Sequence, residues 1–305
     1  MSDFSARHLS LQIRKVLFYM NNFKLGVILE SFKLPLSQSI EAAAKIGADG
    51  VQIYANDGGF APVSTMSAYQ KSELIKMLND KNIKVSALCA DFGMGFGSKE
   101  RNPMLLEKSK RAIELAKELG TNIVTTHIGV VPSDKNHPRY KIMQEACGEL
   151  ASYADRLGSH FAVETGPETS LTLKEFLDSL DSKGVSVNLD PANLVMVTGD
   201  DPVMAVYNLK DYIVHTHAKD GIKLGACNPE VVYRITHPAD GQVTEQETFR
   251  EVPLGKGSVP FKEYLTALHK IGYNGFLTIE REVGDRPDED IELAAKFLRE
   301  VEKSI

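Results

Sequence analysis

The stretch "NIVTTHIGVVPSDKNHPRYKIMQEACGELASYADRLGSHFAVET" (residues 122–165) decides the fold. It opens and closes on short runs rich in β-branched residues, 122–129 and 160–165. Between them, residues 140–157 repeat apolar side chains at helical spacing and stop at Gly158, a residue suited to the left-handed cap of a helix end. Strand, helix, strand in this order brings two strands into one sheet side by side and parallel. Each run has an apolar centre, 123–124 and 161–163, as strands covered on both faces should have.

The same unit recurs in both directions. "KLGVIL" (24–29) leads to a helical pattern over 36–46, "GVQIY" (50–54) to 68–81, and "KVSALCAD" (84–91) to 103–119. Downstream, "HFAVET" leads to 171–182 and "VSVNLD" (185–190) to 202–209. "YIVHTHAK" (212–219) reaches its helix at 260–271 only after a long connection, and "GFLTIERE" (275–282) leads to 288–301. Eight strand–helix units over this length predict an α/β protein built as a closed (β/α)8 TIM barrel, one domain over residues 23–305. "GMGFG" (93–97) lacks the spacing and the strand–helix setting of a dinucleotide fingerprint and reads as a lid. Residues 1–22 read as an N-terminal extension ahead of the regular pattern. The connection 221–259, between the seventh strand and the seventh helix, is long enough to be a functional lid or a local insertion.

The 305 residues carry 35 basic and 41 acidic side chains, a formal net charge of −6. That balance disfavours a nucleic-acid partner, which needs a basic surface. Cys89, Cys147 and Cys227 are few, scattered and odd in number, which fits reduced thiols and a cytoplasmic protein. No apolar run approaches the roughly 20 residues that span a bilayer, so no membrane partner is expected.

In such a barrel the active site lies where the strands end. The last four strand ends carry Glu164, Asp190, the pair His215 and His217, and Glu280 with Glu282. In a strand, His215 and His217 share one face. Several carboxylates at one height in a buried ring repel one another unless a cation sits among them. The economical ligand set is Glu164, Asp190, His217 and Glu280. Three carboxylates and an imidazole favour Mn2+ or Mg2+ and permit Co2+, Fe2+ or Zn2+.

The segments "AVETG" (162–166), "VNLDPANL" (187–194), "HTHAKDG" (215–221), "PLGKGSVPF" (253–261) and "GFLTIERE" (275–282), in this order, resemble the xylose isomerase-like barrels. That family contains sugar isomerases, ketose 3-epimerases, inosose-processing enzymes and apurinic endonucleases. The resemblance covers residues 23–302 and implies that Glu164, Asp190, His217 and Glu280 bind the metal, the second histidine of the pair being the ligand. It leaves His215 facing the substrate or buried as an interior histidine. His127 matches a recurring fourth-strand histidine and is expected on the pocket wall. Asn193 stands where related epimerases carry a substrate-binding histidine, a departure that alters how the substrate is held.

The implied activity is metal-dependent isomerisation or epimerisation of a sugar, keto-sugar or sugar phosphate through an enediolate. Glu164 and Glu280 serve as acid and base as well as ligands. Substrate contacts are expected from His127, Asn193, His215, Lys219 and Arg250, with Lys219 alternatively paired to Asp220 or Glu282. Arg281, which alternation turns away from Glu280, is expected to anchor the barrel to its helix layer. A dehydratase or lyase acting on a keto-inositol or 3-keto-glycoside is the alternative. An apurinic-type endonuclease is the weaker rival, because Asn193 replaces a histidine that its metal centre needs. The expected partner is a small carbohydrate, and self-association into a homo-oligomer is plausible by resemblance.

Overall fold

The computed structural model describes residues 23–93, 95–236 and 248–305. The expected extension over 1–22 lies outside the described residues. Eight parallel strands close into a barrel: β1 (Lys24–Ile28), β2 (Gly50–Tyr54), β3 (Lys84–Cys89), β4 (Ile123–Thr126), β5 (His160–Glu164), β6 (Val185–Leu189), β7 (Ile213–Ala218) and, after two strands described below, β10 (Phe276–Ile279). Around the barrel the order is β1-β10-β7-β6-β5-β4-β3-β2. The strand-rich apolar runs are therefore neighbours in space in the order they occur in the chain, with β10 closing onto β1 through Lys24–Phe276 to Val27–Ile279.

Helices α1 (Leu36–Lys45), α2 (Ala68–Asp80), α3 (Asn102–Glu118), α4 (Pro138–Leu157), α5 (Ser170–Asp178), α6 (Pro202–Asn208), α7 (Phe261–Lys270) and α8 (Pro287–Lys303) follow the barrel strands in turn. Their starts are fixed by local chemistry. Ser67 and Gln70 form a reciprocal capping box on α2, and Asp201 caps α6. Gly158 ends α4 with φ +59, the left-handed conformation expected of it. Each helix buries an apolar stripe between itself and the sheet, exemplified by Leu173, Phe176 and Leu177 on α5 and Tyr264, Leu265 and Leu268 on α7.

Two parts of the chain depart from a plain barrel. After Asp190 the chain runs through a short helical turn, Pro191–Asn193, and then a π-helical segment, Leu194–Thr198, before α6. The long connection contributes a two-stranded antiparallel sheet, β8 (Asp220–Lys223) with β9 (Phe249–Val252), and a helical turn over Pro229–Val232. No helix among the described residues is long and apolar enough to cross a membrane.

Candidate active site

Glu164 ends β5, Asp190 follows β6, His217 lies near the end of β7 and Glu280 follows β10. These four strands are consecutive around the barrel, so their ends converge. One ligand atom from each of the four lies within 4.8 Å of the others, and all four residues are buried. His217 Nδ1 is 3.1 Å from Glu280 Oε2, 3.5 Å from Asp190 Oδ2 and 3.6 Å from Glu164 Oε1. Ligands bound to one ion at about 2.2 Å are at most about 4.4 Å apart, so small side-chain adjustments suffice to surround a cation.

The chain aims three of the four candidate ligands with hydrogen bonds. The Asp190 carboxylate caps the turn that follows it, Oδ1 accepting from the Asn193 amide at 2.8 Å, which leaves Oδ2 toward the cluster. The Asn193 side chain donates to Glu164 Oε1 at 2.9 Å, and Asn188 donates to Glu164 Oε2 at 3.3 Å. His217 Nε2 lies 3.2 Å from the Gln52 side-chain oxygen on β2. An imidazole that gives its Nε2 proton to Gln52 turns the Nδ1 lone pair to the carboxylates, the arrangement a metal-binding histidine needs.

Charge at this cluster is out of balance without a further cation. Asp190 Oδ2 and Glu280 Oε2 are buried and accept no well-directed hydrogen bond. Burial opposes a proton on His217, yet Glu280 and Glu164 outweigh it and push its pKa well up. The acids thus recruit a positive charge from the one imidazole they surround. A divalent ion meets the same demand, and the donor set fits it. Lys219 supplies part of the balance: its Nζ is 3.2 Å from Glu280 Oε2 and also pairs with Glu282. Burial works against the Glu280 charge, but Lys219 and His217 overcome it and hold this carboxyl below its usual range.

Above the cluster lies a cavity of about 840 Å3, large enough for a sugar or a larger ligand. Glu164, Glu280, His127, Asn193, Lys219 and Arg250 all line it, Arg250 from an exposed position on β9. His127 Nδ1 is 3.1 Å from Asp91 Oδ2, which orients the ring so that Nε2 stands 3.6 Å from Glu164 Oε1. Burial opposes protonation of His127, but Glu164 and Asp91 raise its pKa to about 9. Gly93 and Gly95 of the glycine-rich loop also reach the cavity wall.

His215 does not fit its expected substrate-facing position. It is fully buried below His217, outside the cavity lining, with Nε2 2.9 Å from the Thr278 hydroxyl. Burial first and His217 second push its pKa well down, so it stays neutral. Side chains two apart on one strand share a face but not a depth: His217, nearer the strand end, reaches the carboxylates, whereas His215 does not, and neither lines the cavity. Arg281 faces outward as alternation requires, pairing with Asp290 on α8 and with Glu251 on β9. Sequence reasoning missed Gln52, Asn188 and Tyr233 as members of the site. Gln52 and Asn188 were visible only as polar residues inside otherwise apolar strands.

Comparison with known proteins places the architecture and the site in context. A family model described as xylose isomerase-like TIM barrel matches residues 40–301. The chain is 25% identical over 274 residues to SgbU of Escherichia coli (strain K12), provisionally named L-ribulose-5-phosphate 3-epimerase, covering 86% of this chain and 89% of that one. It is 30% identical over 187 residues to the inosose dehydratase of Bacillus thuringiensis (strain Al Hakam), covering 56% and 59%. Among solved structures, a xylose isomerase domain protein from Planctomyces limnophilus superposes with a TM-score of 0.76 at 24% identity, covering 93% of this chain and 98% of that one.

Proposed function

The chain belongs to the xylose isomerase-like TIM barrel family, a family of sugar epimerases, isomerases and dehydratases, and on that premise we propose that it is a divalent-metal-dependent isomerase or epimerase of a sugar, keto-sugar or sugar phosphate. The observation that carries this reading is the convergence of three carboxylates and one imidazole beneath a sugar-sized cavity. Glu164, Asp190, His217 and Glu280 would hold the cation, with Mn2+ or Mg2+ favoured by the three hard oxygen donors, and it would supply Lewis-acid chemistry to the substrate carbonyl.

The chain's own groups do the rest. Glu164 and Glu280 stand on the two outer strands of the four-strand arc, so they approach a bound carbon from different sides. One carboxylate removes the proton α to the carbonyl and the other returns a proton, which inverts that carbon. Lys219 keeps Glu280 charged and faces the cavity beside it. Asn193 fixes Glu164 and, with His127, offers polar groups to substrate hydroxyls.

A second reading, elimination from a keto-inositol or 3-keto-glycoside, is favoured by one observation: the Asp91-oriented His127 presents a ring nitrogen beside Glu164, where a departing hydroxyl could take a proton. Incubating the metal-loaded protein with keto-sugars and inososes in D2O separates the readings. Epimerisation gives an isomer carrying one deuterium. Elimination gives a product lighter by one water. Absence of both from every candidate, with metal bound, would sink the enzymatic assignment.

A further inference from the structure

The proposed chemistry leaves Tyr233 without a task. This residue follows the helical turn Pro229–Val232 in the long connection, yet it lines the same cavity as Glu164, Asn193 and His127. Its ring centroid lies 5.2 Å from that of His127. Its hydroxyl reaches over Gly166, two residues beyond Glu164. A Cβ placed on Gly166 would lie 2.5 Å from the Tyr233 hydroxyl and 2.5 Å from Asn193 Cβ. Gly166 also has φ +137, so this position excludes a side chain on two counts. The phenol thus occupies space kept clear between the ends of β5 and β6.

The turn that carries Tyr233 is well anchored. The Tyr233 amide donates to the Pro229 carbonyl at 2.9 Å, and the amides of Ile235 and Thr236 both donate to the Glu230 carbonyl. The Glu230 side chain is paired with Arg139 on α4. The phenol is therefore positioned from main chain outward. No hydrogen bond from its hydroxyl to a group among the described residues is present. The ring is half-buried, and its hydroxyl stands without a partner among the described residues beside the space a ligand would fill.

Resting on the sugar reading above, we propose that Tyr233 is a substrate-positioning residue: its hydroxyl donates a hydrogen bond to an oxygen of a polyhydroxylated carbonyl substrate, on the Glu164–Asn193 side of the cavity. The oxygen it reads lies near the reacting carbon, because the hydroxyl sits beside Asn193, which itself holds Glu164. The connection between β7 and α7 then supplies recognition, while the strand ends supply the acid–base groups.

The test is a calorimetric titration of metal-loaded wild type and Tyr233→Phe with free ketohexoses, their monophosphates, scyllo-inosose and 3-keto-glucosides. The sugar that wild type binds most tightly should bind Tyr233→Phe about tenfold more weakly, the size of one lost hydrogen bond. Metal content and melting temperature should be unchanged. Deoxy analogues of that sugar add a check: the one lacking the read hydroxyl should bind both proteins alike. Equal affinity of the two proteins for the parent sugar overturns the assignment alone, as does loss of metal by Tyr233→Phe. Failure of metal-loaded wild type to bind any of these compounds overturns the sugar reading and this assignment together.

Discussion

Asp190 and Asp220 are buried to the same degree, at 0% and 1% exposure, and each stands just past the end of a barrel strand. Their surroundings differ completely. Asp220 accepts four backbone hydrogen bonds, from Gly221 at 2.9 Å, Gly255 at 3.0 Å, Gly257 at 2.8 Å and Val259 at 3.1 Å. It clasps the far end of the connection to the end of β7. Asp190 receives one amide on Oδ1, and its Oδ2 faces two other carboxylates and His217. Burial of a carboxylate is therefore not a mark of function. What matters is whether the chain itself provides the partners, and at Asp190 it withholds them.

The comparison can be broken at several points. Glu280 belongs with Asp190, so Glu280→Gln should slow solvent-proton exchange into substrate by about 1000-fold while leaving the fold intact by circular dichroism. Near-normal exchange would remove Glu280 from the chemistry. A matched pair of substitutions probes the two aspartates directly. Asp220→Asn sets an amide NH2 against backbone N–H donors and should lower unfolding free energy by about 3 kcal/mol in denaturant titrations. Asp190→Asn keeps the capping oxygen and relieves charge repulsion. In chelator-treated protein it should leave stability unchanged or raise it, while metal retention measured by elemental analysis is lost. Equal destabilisation by both variants would erase the distinction.

Glu168 sharpens the comparison with a third way to bury a carboxyl. Its Oε2 accepts the Val131 amide at 3.0 Å, its Oε1 has no partner, and burial pushes its pKa up to about 8. The native state thus keeps this proton to about pH 8, whereas the unfolded chain releases it near the ordinary carboxyl value of about 4.5. Between those values the native state holds more protons, so stability falls as pH rises, by about 3.5 kcal/mol from pH 5 to pH 8. Glu168→Gln should flatten that slope. An unaltered slope in the variant would assign it to other groups.

Much of this organisation was legible in the sequence. The β-branched runs and glycine-capped helical patterns gave the eight units because period and punctuation are local properties. The convergence of Glu164, Asp190, His217 and Glu280 was legible from strand ends, since a closed parallel barrel brings every C-terminal strand end to one rim, while the choice of His217 over His215 as candidate ligand came from the family resemblance. Helix α5 stops at Asp178 rather than continuing to 182, because Leu180 and the residues after it return the chain to β6. Depth along a strand was not legible, and His215 was misplaced for that reason. The β8–β9 sheet and the π-helical segment were invisible because each depends on packing against the other. Tyr233 was hidden too: its approach to Gly166 is set by the course of the connection and by no periodicity of its own.

The clasp at Asp220 has a consequence for how this protein can change over time. The connection leaves the barrel at β8 and is fastened again at Gly255, Gly257 and Val259, close to where it began. A span whose two ends are already held together can gain or lose residues at little entropic penalty. Insertions between Lys223 and Phe249 would then remodel the mouth without disturbing the strand ends below. Divergence of ligand preference among descendants of this barrel should accordingly concentrate in that span, with the acid–imidazole quartet left in place.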